Sequence, residues 1–219
     1  MKWLRKLFSI LLQLTLMLVL PFVLLIRGAT WLYESYQWHP WLALFASLGA
    51  VFVVLLVYVV MLYDSIVGAG KVTRTSLKLK SFVVLAVMLA FVGYSLINLS
   101  GANAKSEGVK SEYTSLHPYL RLAVGTFVLA DQGLLVTDMS RVKEDYKRMG
   151  LKTLKNSLHY EQSDGYVHAM DLRTNGRSEV RNKLTQWYFR LMGFNTLRHG
   201  GTGDHLHISL SAHDKPGAI

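Results

Sequence analysis

Two short stretches near the C-terminal end contain side chains that could carry out chemistry. The first, GDHLHISL (203–210), alternates in the manner of a β-strand and includes His205 and His207. Residues two apart in a strand face the same side, so these imidazoles share one surface while the residues between them point to the core. An HxH pair alone is a weak signal, because exposed histidines usually have no chemical role.

The second stretch, SLHYEQSDGYVHAMDL (157–172), contains His159, His168 and Asp171. The chain has no cysteine, so any metal site must be built from His, Asp and Glu. Three protein ligands of the His/Asp type, with a further position open to water, describe a catalytic rather than a structural zinc site.

At these residues the sequence resembles the zinc-dependent D-alanyl-D-alanine carboxypeptidases and L-alanyl-D-glutamate endopeptidases, which cut peptidoglycan stem peptides. Hedgehog signalling domains share their fold. The family pattern is roughly S-x-H-x-x-G-x-A-x-D, followed much later by an acidic residue, two spacers and His. The matching positions are Ser157, His159, Ala169 and Asp171 in the first motif, and Asp204 and His207 in the second. The resemblance covers about residues 114–211 and leaves the apolar N-terminal half outside.

The resemblance implies a role for each matching position. It implies zinc ligands at His159, Asp171 and His207, and a catalytic acid at Asp204. It also places Arg141, in VTDMSR, where family members bind the substrate carboxylate, which a planar guanidinium suits. His205 either hydrogen-bonds the zinc-bound water or the oxyanion, or has a supporting or merely exposed role.

The spacing of the first motif departs from the family. About six residues usually separate its His from its Asp, whereas eleven separate His159 from Asp171, and Val167 replaces the expected glycine. We interpret EQSDG (161–165) as an inserted loop. The alternative is that His168 replaces His159 as a ligand. The SLHY match favours His159, and a strand would place His168 and Asp171 on opposite faces.

Three apolar runs in the first half of the chain are expected to span a lipid bilayer and to hold the site close to it. They cover residues 8–26, 41–62 and 81–99, and each is near the roughly 20 residues that a membrane-spanning helix needs. The first run exceeds the apolar core of a signal peptide, about 7–15 residues, and is expected to be an uncleaved anchor.

The lysines and arginines predict the orientation of these spans. They concentrate at the N-terminus and between the second and third runs, in a stretch that includes Lys71. Basic ends stay in the cytoplasm. Three crossings then place residues after about 100 outside, in the periplasm of a bacterium whose inner membrane holds the spans. Most of the net charge of +10 reflects this topology. Without a basic stripe interleaved with aromatic residues, no nucleic-acid partner is expected.

The sequence divides into a membrane region (1–99), a polar linker (100–112) and a small domain (113–219). The domain is predicted to be α+β with a short antiparallel sheet. Predicted helices cover 114–130, 142–150 and 177–194, and predicted strands cover 133–139, 166–173 and 205–210.

Periodicity and isolated histidines give further expectations. The last helix is predicted to bury one apolar side, consisting of Val180, Leu184, Trp187, Tyr188 and Leu191. The segment RHGGTGD (198–204), which includes His199, is expected to be a turn or a flexible loop at the mouth of the site. The remaining histidines, His39, His117 and His213, are expected on the surface.

The leading functional hypothesis is a membrane-anchored zinc peptidase acting on peptidoglycan stem peptides. Two alternatives stay open. The domain could bind zinc or wall peptide without catalysis, or the spans could act as a holin-like membrane protein with an attached lytic peptidase. No residue distinguishes carboxypeptidase from endopeptidase activity, and none indicates an oligomeric state.

Overall fold

The structure is a computed structural model that describes residues 2–67, 73–148, 150, 152, 155–201, 203–215 and 217–218. Lys71, used above for the orientation, lies outside the described residues, as do Met149 in a predicted helix and Thr202 in the predicted loop.

Three long helices form the N-terminal half: α1 (Lys2–Tyr36), α2 (Pro40–Val67) and α3 (Arg74–Ile97). All three are long and apolar enough to cross a membrane, as the apolar runs predicted. Many of their large apolar side chains face outward, which is the arrangement expected of helices surrounded by lipid. The α1–α2 contact is close at Gly28, where an added Cβ would lie 3.0 Å from the Ser47 hydroxyl.

The stretch predicted as a linker is folded. Residues 100–112 contain a 3₁₀ turn (Gly101–Asn103) and the short helix α4 (Glu107–Ser111). Asn103 is buried, and its side-chain amide donates to the backbone carbonyls of Gln132 (2.9 Å) and Leu134 (2.8 Å). The connection is therefore part of the packed domain.

The C-terminal domain is α+β with a four-stranded antiparallel sheet, which confirms the predicted class. Its helices are α5 (Pro118–Ala130), α6 (Lys143–Arg148) and α7 (Glu179–Leu191). Its strands are β1 (Val136–Asp138), β2 (Ala169–Arg173), β3 (Asn195–His199) and β4 (His205–Ser209), in the order β1-β2-β4-β3. Strand β3 was not predicted. It is a polar edge strand whose register places His199 opposite His205.

The predicted buried side of α7 is wrong in most of its members. Val180, Leu184, Trp187 and Leu191 are 68%, 58%, 64% and 42% exposed. The sheet instead contacts the side that carries Asn182, Thr185 and Phe189, and only Tyr188 of the predicted set packs against the core. The apolar period of this helix marks a surface that no described part of the chain covers.

The domain is bonded to the ends of the long helices. The hydrogen bonds that make this connection include Thr30 Oγ1 to the Met192 carbonyl (2.9 Å), Tyr119 Oη to the Pro40 carbonyl (2.6 Å), Trp41 Nε1 to Tyr166 Oη (3.1 Å) and Tyr113 Oη to the Ser95 carbonyl (2.8 Å). These contacts involve the C-terminal ends of α1 and α3 and the start of α2. The basic residues Arg5, Arg74 and Lys78 lie at the opposite ends of these helices. The sheet is thus held at a fixed place beyond one end of the helical bundle.

Candidate metal centre

The sheet brings His159, Asp171 and His207 together. Asp171 in β2 pairs directly with His207 in β4, so their side chains lie side by side on one face. His159 reaches the same point from the turn before β2, where the Ser157 hydroxyl accepts a hydrogen bond from its backbone amide (3.3 Å). All three side chains are buried.

The potential ligand atoms are close enough to share one ion. His159 Nε2 is 3.3 Å from His207 Nδ1 and 3.4 Å from Asp171 Oδ1, and His207 Nδ1 is 2.9 Å from the same carboxylate oxygen. Ligands at tetrahedral positions roughly 2.0–2.1 Å from a zinc ion lie about 3.3 Å apart. The side chains have the spacing that a metal ion requires.

The distribution of protons also favours a cation at this point. His159 Nδ1 donates to the Met139 carbonyl (2.6 Å), so the neutral ring presents an unprotonated Nε2 to the group. Asp171 presents a carboxylate oxygen. Only a proton on His207 Nδ1 can then serve the three mutual contacts. A cation held between the three atoms would satisfy them together, so these residues fit a metal ion.

Arg141 holds the far side of Asp171. Its guanidinium donates to Asp171 Oδ2 and, over 2.6 Å, to Asp138 Oδ2. Burial acts to raise the pKa of Asp171, but its contacts with His159 and His207 and the charge of Arg141 hold this pKa well below its usual range. Arg141, expected to bind a substrate carboxylate, is therefore placed to orient Asp171 and keep it ionised. Asp138, which was not predicted from the sequence, is the second carboxylate that pairs with Arg141.

The group lies at the wall of an open cavity of about 730 Å³. Besides the three residues and Arg141, the cavity is lined by Tyr146, Lys152, Lys155, Asn156, Ser157, Leu197, His199 and His205. The added side chains include two lysines and two histidines but no carboxylate. The cavity is thus suited to an anionic or carboxylate-bearing ligand.

His205 and His199 form a stacked pair beside the group. Their rings lie 4.7 Å apart, because β3 and β4 place them directly opposite each other. His205 Nδ1 donates to the Gly203 carbonyl (2.6 Å), which leaves Nε2 free in the neutral ring, 3.8 Å from Asp171 Oδ2. Burial, together with the neighbouring His205, lowers the pKa of His199. The pair supplies two imidazoles to the cavity wall.

Asp204, the expected catalytic acid, is engaged elsewhere. Both of its oxygens accept hydrogen bonds from Arg198, each over 2.6 Å. The hydrogen bond from Arg198 is the main cause that lowers the pKa of Asp204 to about 2. Asp204 also lies outside the set of described residues that line the cavity. The structure therefore pairs Asp204 with Arg198 and does not place it at the cavity wall.

His168 belongs to a second group. Its Nε2 lies 2.9 Å from Asp164 Oδ2, and His117 Nε2 lies 3.6 Å from the same oxygen. These three side chains could also hold a metal ion. His168 thus does not join Asp171 around one ion, as the strand geometry predicted. The expectation that His117 lies on the surface is wrong: it is fully buried at the N-cap of α5, where Pro118 directs the chain inward.

Comparison of the chain with protein-family models, with curated proteins and with solved structures gives no match.

Proposed function

We propose that this chain is a membrane-anchored zinc peptidase that hydrolyses peptidoglycan stem peptides. The observation that carries the proposal is the convergence of His159 Nε2, Asp171 Oδ1 and His207 Nδ1 within 3.4 Å of one another at the wall of an open cavity. Two nitrogens, one carboxylate oxygen and an accessible fourth side are the coordination typical of catalytic zinc.

A zinc ion held there would lower the pKa of a water molecule and polarise the scissile carbonyl. Residues that contact the metal ligands would keep these ligands in the right orientation and protonation state. Arg141 keeps Asp171 ionised and oriented, and the Met139 carbonyl keeps the His159 proton on Nδ1. Such outer partners of metal ligands typically affect metal affinity or activity about 10- to 100-fold.

The geometry favours His205 as the residue that accepts and returns the proton. Its Nε2 is free and faces the group, whereas both oxygens of Asp204 are bonded to Arg198. An Asp204 carboxyl with a pKa of about 2 is a weak base near neutral pH.

Two matched variants separate these residues. We expect His205→Gln to lower kcat about 10²- to 10⁴-fold and Asp204→Asn to lower it less than about tenfold. The measurement is steady-state cleavage of a purified stem peptide. The opposite order would assign the role to Asp204, with the Arg198 pair opening when substrate binds.

The substrate class is supported by charge and by topology. Lys152 and Lys155 line the cavity and would attract the free carboxylates of stem peptides. The domain lies at the end of the bundle opposite Arg5, Arg74 and Lys78, and the positive-inside rule assigns that end to the outer side of the membrane. A domain on that side of a bacterial inner membrane faces the cell wall.

The test of the proposal uses the whole chain purified in detergent. Zinc-loaded protein is expected to cleave muropeptides, chelated protein is not, and the product masses identify the bond that is cut. Cleavage that persists in chelator, or zinc-loaded protein that leaves every stem peptide intact, would refute a zinc peptidase.

The second outcome would support a metal- or peptide-binding module without catalysis. One observation favours that candidate: the acidic residue that the family pattern assigns to catalysis is held by Arg198 outside the cavity. Binding of an uncleaved stem peptide to the zinc-loaded chain, weakened by less than about tenfold in Lys155→Gln, would then be the expected result.

A further inference from the structure

The second His/Asp group lies where the domain meets the membrane helices. Asp164 lies in the EQSDG loop (161–165), His168 directly precedes β2, and His117 is the N-cap residue of α5. The ring of Tyr33, in α1, lies 5.3 Å from the His117 ring. The insertion therefore carries chemistry of its own, on the opposite side of β2 from the cavity.

The protonation of the neutral His168 ring leaves its contact with Asp164 without a proton. His168 Nδ1 lies 3.3 Å from the Leu210 carbonyl, which can only accept, so the neutral ring places its proton there. Its Nε2 then presents a lone pair to both oxygens of Asp164, at 3.0 and 2.9 Å. Two acceptors at this distance need a positive charge between them, which is either a second proton on His168 or a metal ion.

His117 indicates which cation fits. It is fully buried, and its Nε2 points toward Asp164 without a hydrogen-bond partner. A proton on His168 would complete one ion pair and leave His117 Nε2 unsatisfied, at a cost of about 1–3 kcal/mol. A metal ion would use all three atoms.

Metal binding changes one hydrogen bond of His117. Binding through Nε2 moves the ring proton to Nδ1 and gives up the hydrogen bond that Nδ1 accepts from the Tyr119 amide (3.3 Å).

We propose that His117, Asp164 and His168 form a second site for a divalent transition metal such as zinc. The ion ties the loop that carries Asp164 and the residue before β2 to the N-terminus of α5, beside α1. Both histidines are fully buried among aromatic rings and only Asp164 is partly exposed, so this site is far less open than the cavity.

The test counts metal ions in the whole chain, purified in detergent, stripped with chelator, reloaded with zinc and desalted. We expect two zinc ions per chain in the wild type and in His213→Gln. The second is a matched control, because the His213 ring stacks on Tyr33 but lies outside the group. We expect one in His207→Gln, one in His168→Gln and none in the double variant. Zinc should also raise the melting temperature of His207→Gln, which keeps the second site.

Each result decides the matter. His207→Gln without zinc, or His168→Gln with two ions, would overturn the second site. A single wild-type ion that His168→Gln loses and His207→Gln keeps would support this site and refute the proposed catalytic metal. If His168→Gln does not fold, the zinc content and zinc-induced stabilisation of His207→Gln still decide.

A different observation concerns the exposed apolar side of α7. Val180, Leu184, Trp187 and Leu191 recur every three or four residues, and we call this set the α7 stripe. The exposed Lys183 and Arg190 belong to the same helix. An apolar stripe with a tryptophan and flanking cations is typical of helices that lie in a membrane interface.

The position of α7 brings the stripe near the membrane helices. The Met192 carbonyl, directly after α7, accepts the hydrogen bond from Thr30 in α1. Tyr188 donates to the Ala123 carbonyl in α5 (2.9 Å), and α5 in turn contacts α1 and α3. Helices α5 and α7 pack on the core-facing side of the sheet, with Leu206 and Ile208, whereas His207 faces the cavity. The stripe is thus on the side nearest the bundle.

We infer that the α7 stripe inserts into the lipid headgroup region on the side of the bilayer where α1 ends. The stripe and the three spans then together fix the distance of the cavity from the membrane. This inference rests on α1, α2 and α3 spanning a bilayer.

The chain has no cysteine, so single cysteines report position without further changes. Nitroxide labels on W187C and L184C are compared with V142C, an exposed apolar position next to Arg141, and with F82C in the middle of α3. The whole chain is reconstituted into vesicles of zwitterionic and anionic phospholipid, and the collision rates of each label with oxygen and with a water-soluble nickel chelate are measured.

We expect W187C and L184C to be more accessible to oxygen than to nickel, V142C to show the reverse, and F82C to be the most shielded from nickel. Labels on the stripe that match V142C would overturn the insertion. A label at F82C that reacts freely with nickel would refute the spans themselves, which separates the two failures.

Discussion

The two His/Asp groups use the same ligand types at similar distances and differ in their surroundings. The cavity group, His159, Asp171 and His207, lies at the wall of a space of about 730 Å³ with lysines, an arginine and two further histidines nearby. The buried group, His117, Asp164 and His168, is enclosed by tyrosine rings and the end of a membrane helix. The two groups therefore differ in how open they are to a ligand and in the polar side chains around them, and not in the type of their metal-binding residues.

The largest expected effect separates the groups by activity. His207→Gln should reduce stem-peptide hydrolysis more than about 100-fold, beyond the usual effect of an outer partner, because a direct ligand is lost. His168→Gln should change the rate at 20 °C by less than about threefold. Initial rates of the zinc-loaded proteins are the measurement. Equal losses would mean that the two groups act as one unit.

Arg141 sharpens the distinction between a ligand and a residue that positions it. Arg141→Gln should lower kcat/KM and zinc affinity about 10- to 100-fold, because Asp171 loses its partner on Oδ2. Lys155→Gln, which removes a cation from the same cavity, should affect KM alone and by less than about tenfold. A pure KM effect of Arg141→Gln would instead support the substrate-binding role expected from the sequence.

The attachment of the domain to the helices should contribute stability without activity. Tyr119→Phe removes the hydrogen bond that Tyr119 donates to the buried Pro40 carbonyl and should cost about 0.5–1.5 kcal/mol of unfolding free energy, while hydrolysis is unchanged. Tyr36→Phe, at an exposed position, should cost close to nothing. Thermal unfolding in detergent followed by near-UV circular dichroism measures both. A loss of activity in Tyr119→Phe at low temperature would contradict this separation.

The smallest expected effect is in the acid stability of the metal-free protein. The folded-state pKa values of Asp171 and Asp164 are lowered, Asp171 the more strongly, so each carboxylate stabilises the fold above its unfolded pKa of about 3.9. That contribution is lost as the pH falls through the folded pKa. Melting temperatures in chelator should fall below about pH 4, and Asp164→Asn should flatten the upper part of the decline. Stability that rises on acidification would contradict the lowered pKa values.

Local pattern predicted the elements better than it predicted their surfaces. The strands of His207 and Asp171 and the α+β class followed from alternation and turn residues. Strand β3 could not be recognised, because a polar edge strand resembles a loop, and the β3–β4 hairpin is what brings Arg198 to Asp204. The exposed side of α7 was predicted to be buried, because the spacing of apolar residues does not show whether the sheet or another surface covers that side of the helix. His117 was misjudged because its burial depends on contacts distant in sequence.

The most direct test of the central claim is a zinc titration of the chelated whole chain during hydrolysis of a purified stem peptide. We predict that the rate rises with zinc, saturates when the cavity group is filled, and stays at background in Asp171→Asn. A rate that is independent of zinc, or equal in Asp171→Asn and wild type, would contradict a metal-dependent hydrolytic centre at His159, Asp171 and His207.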